Sequence, residues 1–207
     1  MIEFLSILIL IISIIYFFVA LNKKEISFSE MISIIRDGLK DSSTEKDGNK
    51  NIFFRIKTWL IHVTFYLFLF MFLTSFVPTI FSGHLTGLFL ILHITAAPLF
   101  SISLALLVLF YAYQLKLNEN DYSNFEKVIN KDSIKNDRSS ILSYSKFSFW
   151  LLTFISIPLL LSIILSFYPI TGTDWQNLSL IIHRLSALLF SLVVLALIYF
   201  YVTFSKL

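Results

Sequence analysis

The chain has 207 residues, 57% of them hydrophobic and only 14% charged, with a net charge of +3 and no cysteine. Soluble domains carry nearer a quarter of charged residues, so a water-soluble globule is excluded. The lack of cysteine excludes disulfides, thiolate-held iron–sulfur clusters and covalent c-type haem within this chain, and the five glycines are too scattered for a dinucleotide-binding loop.

Five runs are nearly free of charge: 4–21, 58–80, 85–113, 147–168 and 178–204. Each is long enough to span roughly 30 Å of hydrocarbon at about 1.5 Å per residue, and the third and fifth exceed that and should tilt or protrude. Backbone groups in lipid must be satisfied internally, so the runs predict an all-α integral membrane helical bundle. The first run has Glu3 in place of a basic flank and no small-residue cleavage pattern after it, and is expected to be a retained helix rather than a signal peptide. The organisation follows: an N-terminal transmembrane helix at 1–22, a polar segment at 23–57, and a four-helix membrane domain at 58–207 interrupted by a loop at 114–146.

The first polar segment predicts a short amphipathic helix, with Ser27 and Glu30 as a capping box and Phe28, Met31, Ile32, Ile35 and Leu39 on one face. It suits a membrane surface or a partner, and a flexible loop at 40–51 follows. The second resembles it more weakly, with Ser123 and Glu126 as cap and Phe125, Val128 and Ile129 as the apolar stripe. Neither segment holds a constellation suited to catalysis, and a purely connecting role accounts for both. Lys and Arg concentrate in these two segments and are missing from the turns after Ile80 and Tyr168. That bias places both loops and the C-terminus in the cytoplasm and the N-terminus outside. The net positive charge is thus topological and requires no nucleic-acid partner.

A stretch of sequence occurs twice. Trp59–Pro78 reads WLIHVTFYLFLFMFLTSFVP and Trp150–Pro169 reads WLLTFISIPLLLSIILSFYP, both ending in Ser-Phe-x-Pro. Each is followed by a second apolar segment with a histidine, His93 in HITAAPLF and His183 in HRLSALLF. Two like-oriented hairpins can pair about an axis along the membrane normal, which would let the two histidines face each other. Both are expected about 10 Å below the outer surface, His93 about eight residues into its helix and His183 about six. One turn on stand small residues, Ala96 and Ala97 or Ser186 and Ala187, which clear space for a flat macrocycle, and two turns on Phe100 and Phe190 can form its apolar floor. Histidine within a span is costly and marks a functional site unless it serves as an interhelical hydrogen bond. The pair points to a metal or haem site, with one b-type haem held by His93 and His183.

The remaining polar groups are less decisive. His62 has Thr153 as its repeat twin and Phe65 and Tyr66 one turn on, which crowd out a flat cofactor. It is a hydrogen-bonded residue, a quinone-site residue, or a ligand completed by another subunit. A partner late in the last helix would fall near Leu197, where no histidine stands. His84 marks the outer mouth of its helix. Arg184 either snorkels to the surface or pairs with haem propionates. Asp174 and Thr171 suit a solvated outer turn, and Pro98 and Pro158 should kink their spans.

Residues 52–204 resemble the four-helix membrane cytochrome b subunits of bacterial respiratory enzymes, of the formate-dehydrogenase gamma, hydrogenase b-type and cytochrome b561-like kind. The resemblance is carried by Arg55 and Trp59 opening one helix, GHLTGLFLILHITAAPLF at 83–100, Phe149-Trp150 opening another, and LIIHRLSALLF at 180–190. It implies a haem b sandwiched by His93 and His183 in the bacterial inner membrane, other redox subunits of a membrane complex as partners, and exchange with quinone. The family's second haem would take His62 as one ligand and lacks the other here, and the N-terminal helix is an addition to the family's core. Two axial imidazoles leave iron no open position, so the implied role is electron transfer rather than catalysis. A haem-free scaffold subunit, with both histidines holding helices together, is the alternative. A small-solute transporter is disfavoured by the absence of acidic residues and helix-breaking glycines within the spans.

Overall fold

The computed structural model describes residues 2–35, 52–82, 85–129, 138–167 and 172–206. Leu39, the loop at 40–51, His84, Thr171 and the side chains of Val128 and Ile129 lie outside the described residues. The described chain is all-helical: α1 (Ile2–Lys23), α2 (residues 28–35), α3 (Ile52–Ser82), α4 (Gly87–Tyr111), α5 (Glu119–Ile129), α6 (Arg138–Phe167) and α7 (Thr173–Lys206). Five of these, α1, α3, α4, α6 and α7, are long and apolar enough to cross a membrane. At 31, 30 and 34 residues, α3, α6 and α7 run to roughly 45–50 Å and exceed a bilayer's hydrocarbon.

Large apolar side chains point outward and small or polar ones inward, as expected where lipid is the solvent. Leu88, Leu109 and Phe154 are exposed, while Thr74, Ser103, Ser156, Ser162, Ser186 and Ser191 are buried. Most of these inward hydroxyls donate to a carbonyl of their own helix one turn back: Thr74 to Phe70, Ser103 to Phe100, Ser156 to Thr153, Ser191 to Ala187. The backbones of neighbouring helices can then approach without leaving a polar group unpaired.

The chain divides into two compact units, one of residues 1–8 and 28–114, the other of 9–27 and 115–207. Each contains one predicted hairpin, α3 with α4 in the first and α6 with α7 in the second. In the first, Lys57 Nζ lies 5.3 Å from the centre of the Tyr111 ring, and Thr74 meets His93. Seventeen residues up α3 thus match eighteen back down α4. In the second, the Tyr144 and Phe200 rings are 5.7 Å apart and Leu159 meets His183.

α3 and α6 start earlier than their uncharged runs, because the charges before those runs continue the helix. Lys57 is buried on the Tyr111 face, and Lys146, also buried, pairs with Asp121 at 2.8 Å.

The second loop helix corrects the expected cap. α5 begins at Glu119, four residues before Ser123, which lies within the helix and donates to the Asn120 carbonyl. The cap is a reciprocal box one turn earlier: Asp121 N–H donates to Asn118 Oδ1 at 3.1 Å, and Asn118 N–H donates to Asp121 Oδ2 at 2.9 Å. Asp121 prevails because it is also a docking residue. Its other oxygen accepts from Ser143 Oγ at 2.6 Å, and Asn124 Nδ2 donates to the same Ser143 oxygen at 3.0 Å. Phe125 packs by Tyr144 and Phe147 on α6.

α2 begins after Ser27 as its capping box predicts, with Met31 buried and Phe28 and Ile32 exposed. α1 ends in a Schellman turn, in which Ile26 N–H donates to the Leu21 carbonyl and Glu25 N–H to that of Asn22. Glu25 takes the left-handed position at φ 56°, and Leu21 and Ile26, the apolar pair of the motif, are both buried. Lys206, near the end of α7, donates to the Glu25 carbonyl at 2.6 Å.

Candidate functional site

Each histidine of the predicted pair is held by the preceding helix of its own hairpin. His183, half-buried on α7, has its Nδ1 2.9 Å from the main-chain oxygen of Leu159 on α6. A carbonyl only accepts, so Nδ1 carries the proton, and in the neutral ring Nε2 carries the lone pair. His93, half-buried on α4, has its Nδ1 3.3 Å from Thr74 Oγ1 on α3. The Thr74 hydroxyl has one proton, engaged with the Phe70 carbonyl at 2.8 Å and the Met71 carbonyl at 3.2 Å. Toward His93 it therefore accepts, and His93 too carries its proton on Nδ1 and its lone pair on Nε2. By different partners the two hairpins reach the same tautomer.

The surroundings also repeat. Ala96 and Ser186, at i+3, are buried, as are Phe100 and Phe190 at i+7, while Ala97 and Ala187, at i+4, are half-buried. The small residues and the phenylalanines predicted to accompany the pair thus occupy matching faces of α4 and α7.

The axial positions do not repeat. His93 lies six residues beyond the first residue of α4 and His183 ten beyond that of α7, where the sequence suggested about eight and about six. On the preceding helix, His93 meets a residue fifteen past Trp59, whereas His183 meets one nine past Trp150. The hairpins are therefore slipped against the sequence repeat by about six residues, or roughly 9 Å. α3 runs through Pro78 to Ser82, and Pro169, the equivalent residue after α6, lies outside the described residues.

His62 stands apart from His93 on its own hairpin. By the pairing of α3 with α4, His62 falls level with about residue 105, roughly 18 Å along the helix from His93. It is half-buried, and the Phe65 and Tyr66 rings that follow it lie edge to face at 6.1 Å. Its repeat twin Thr153 donates to its own helix at the Phe149 carbonyl. Arg184 and Asp174 are exposed on α7. Among the described residues, no three His, Asp or Glu side chains gather as an all-protein metal site would require.

Sequence reasoning missed Thr74 and Leu159. Thr74 carried a signal, a polar residue on the inward stripe of α3 that includes Leu60 and Thr64. Leu159 carried none, because the group that acts is its main chain. No family model, curated protein or solved structure matches this chain.

Proposed function

We propose that the chain is a membrane-bound b-type cytochrome subunit that transfers electrons between the quinone pool and an extracytoplasmic redox partner. His93 and His183 would hold the iron of one haem b, and Ala97, Ala187, Phe100 and Phe190 would give it clearance and an apolar floor. The observation that carries this reading is the shared tautomer. An imidazole donates to a metal from a nitrogen that bears no proton, and its orientation is usually fixed by a hydrogen bond from the other nitrogen. Both histidines meet that requirement within their own hairpins.

When bound, a haem held by two imidazoles would supply a one-electron couple, suited to electron transfer rather than substrate binding. The chain's own contribution is to orient two imidazoles and exclude water with apolar walls. Arg184 on α7 supplies a positive charge one residue from His183, suited to propionates. The resemblance to bacterial respiratory cytochrome b subunits supports the same role, and this reading carries with it a bacterial inner membrane and redox subunits and quinone as partners. His62 serves outside this pair, at a quinone or at a second site completed by another subunit.

A haem-free scaffold is favoured by one feature, since each Nδ1 bond already links two helices. A visible spectrum of the purified chain decides between the two. The electron carrier shows the sharp α and β bands of a reduced six-coordinate haem at one haem per chain, and a scaffold shows protein absorbance alone.

A further inference from the structure

We infer that Thr74 is the positioning residue for His93, and that its hydroxyl sets how strongly that imidazole donates to a haem iron. The inference rests on the ligand role proposed for His93 and goes beyond it, because it assigns a function to a residue outside the ligand pair.

Thr74 is 5% exposed and sits on the inward stripe of α3. Its Oγ1 gives its one proton to main-chain oxygens of its own helix, Phe70 at 2.8 Å and Met71 at 3.2 Å. What it presents to His93, 3.3 Å away, is an oxygen lone pair. The bond does two things. It holds the proton on Nδ1, the nitrogen that would otherwise compete for it with Nε2, and it fixes the plane of the ring relative to α4.

The two ligands are not equivalent in this respect. His183 is anchored by the Leu159 main-chain oxygen, which also accepts from Ser162 Oγ at 3.1 Å. No side-chain substitution at 159 removes that acceptor. His93 is anchored by a side chain that a single substitution deletes. A hydroxyl is also a weaker acceptor than an amide carbonyl, so it draws less charge into the ring and leaves Nε2 the weaker donor of the two. Residues that hold a metal-bound imidazole in this way typically contribute about 10- to 100-fold in affinity, and the longer bond to Thr74 places this case near tenfold.

The test uses the full-length chain in detergent micelles, with its histidines labelled with nitrogen-15. In the haem-free protein, the nitrogen shifts of His93 should report the proton on Nδ1. Thr74→Ser should keep it there. Thr74→Val, which removes the acceptor at nearly constant volume, should move His93 toward the Nε2–H form and leave His183 unchanged. Titration with haem should show roughly a tenfold loss of affinity for Thr74→Val and near wild-type affinity for Thr74→Ser.

The inference is overturned if wild-type His93 carries its proton on Nε2. That result needs no variant, so it decides even if Thr74→Val fails to fold. It is equally overturned if Thr74→Val matches wild type in both tautomer and haem affinity. Failure of the wild-type chain to take up any haem is a different outcome. It overturns the electron-carrier function and, with it, the positioning role.

Discussion

His183 Nδ1 and the main-chain oxygen of Leu159 stand 2.9 Å apart, joining α7 to α6 within one hairpin. Nothing on either side chain of the usual kind, no carboxylate or hydroxyl, is involved. The bond is robust to substitution at 159 and sensitive to the path of α6. Ser162 donates to the same oxygen, so a Ser162→Ala variant should leave His183 on its acceptor and preserve its tautomer. A lost or inverted His183 tautomer in that variant, read from nitrogen shifts, would contradict the geometry.

The docking of α5 depends on one buried ion pair. Asp121 Oδ2 accepts from Lys146 Nζ at 2.8 Å, and both side chains are nearly inaccessible. Removing one partner leaves a buried charge alone, which costs about 3–5 kcal/mol. Lys146→Met should therefore release α5, read as a loss of amide protection across residues 119–129. Restoring apolar balance with Asp121→Leu in the same chain should recover much of the loss, although α5 would still lack its cap.

The same carboxylate gives a pH dependence of definite sign. Burial pushes the Asp121 carboxyl up, but hydrogen bonds from Lys146, Ser143 and the Asn118 N–H, with the Lys146 charge, outweigh it and hold the group below the usual carboxylate range. A group whose folded value is depressed contributes stability that is complete above the unfolded value, about pH 4, and is lost as the pH falls through the folded value. Protection of α5, corrected for intrinsic exchange, should be level at neutral pH and fall only in acid. A fall on raising the pH from 5 to 8 would have the wrong sign.

Glu25 occupies a left-handed position, φ 56°, at the end of α1. A residue with a Cβ is strained there by about 1 kcal/mol, and glycine is not. Glu25→Gly should raise thermal stability in detergent and Glu25→Val should lower it. The Lys206 contact survives either change, because the Glu25 main-chain oxygen is what Lys206 meets.

The spans and both hairpins were legible because apolarity over twenty residues is a property of composition that no local contact reverses. The candidate histidines were legible because a repeat marks equivalent positions. What sequence missed was contact. Lys57 and Lys146 read in sequence as span ends, where charge meets water, yet one lies over the Tyr111 ring and the other is paired with Asp121. Ser123 and Glu126 matched a capping box, but Asn118 and Asp121 formed one with a tertiary partner added. The slip between hairpins was hidden because Pro78 and Pro169 are equivalent in sequence, and the repeat carries no mark of which residues meet across each hairpin.

The proposed electron-exchange face depends on orientation, for which the Lys and Arg bias predicts 22–57 and 114–146 in the cytoplasm. The chain has no cysteine, so single-cysteine variants at Ser82 and Asp137 can be labelled cleanly. An impermeant reagent should reach position 82 in intact cells and not position 137. The reverse would invert the orientation and move the redox partner to the other side.

The most direct test of the central claim is the haem-to-protein ratio of the purified full-length chain and of its His93→Ala and His183→Ala variants. One haem per chain is expected in the wild type, with low-spin bis-imidazole bands, and that spectrum is lost in either variant. A wild type without haem, or a His93→Ala variant that keeps its full complement, would contradict the claim.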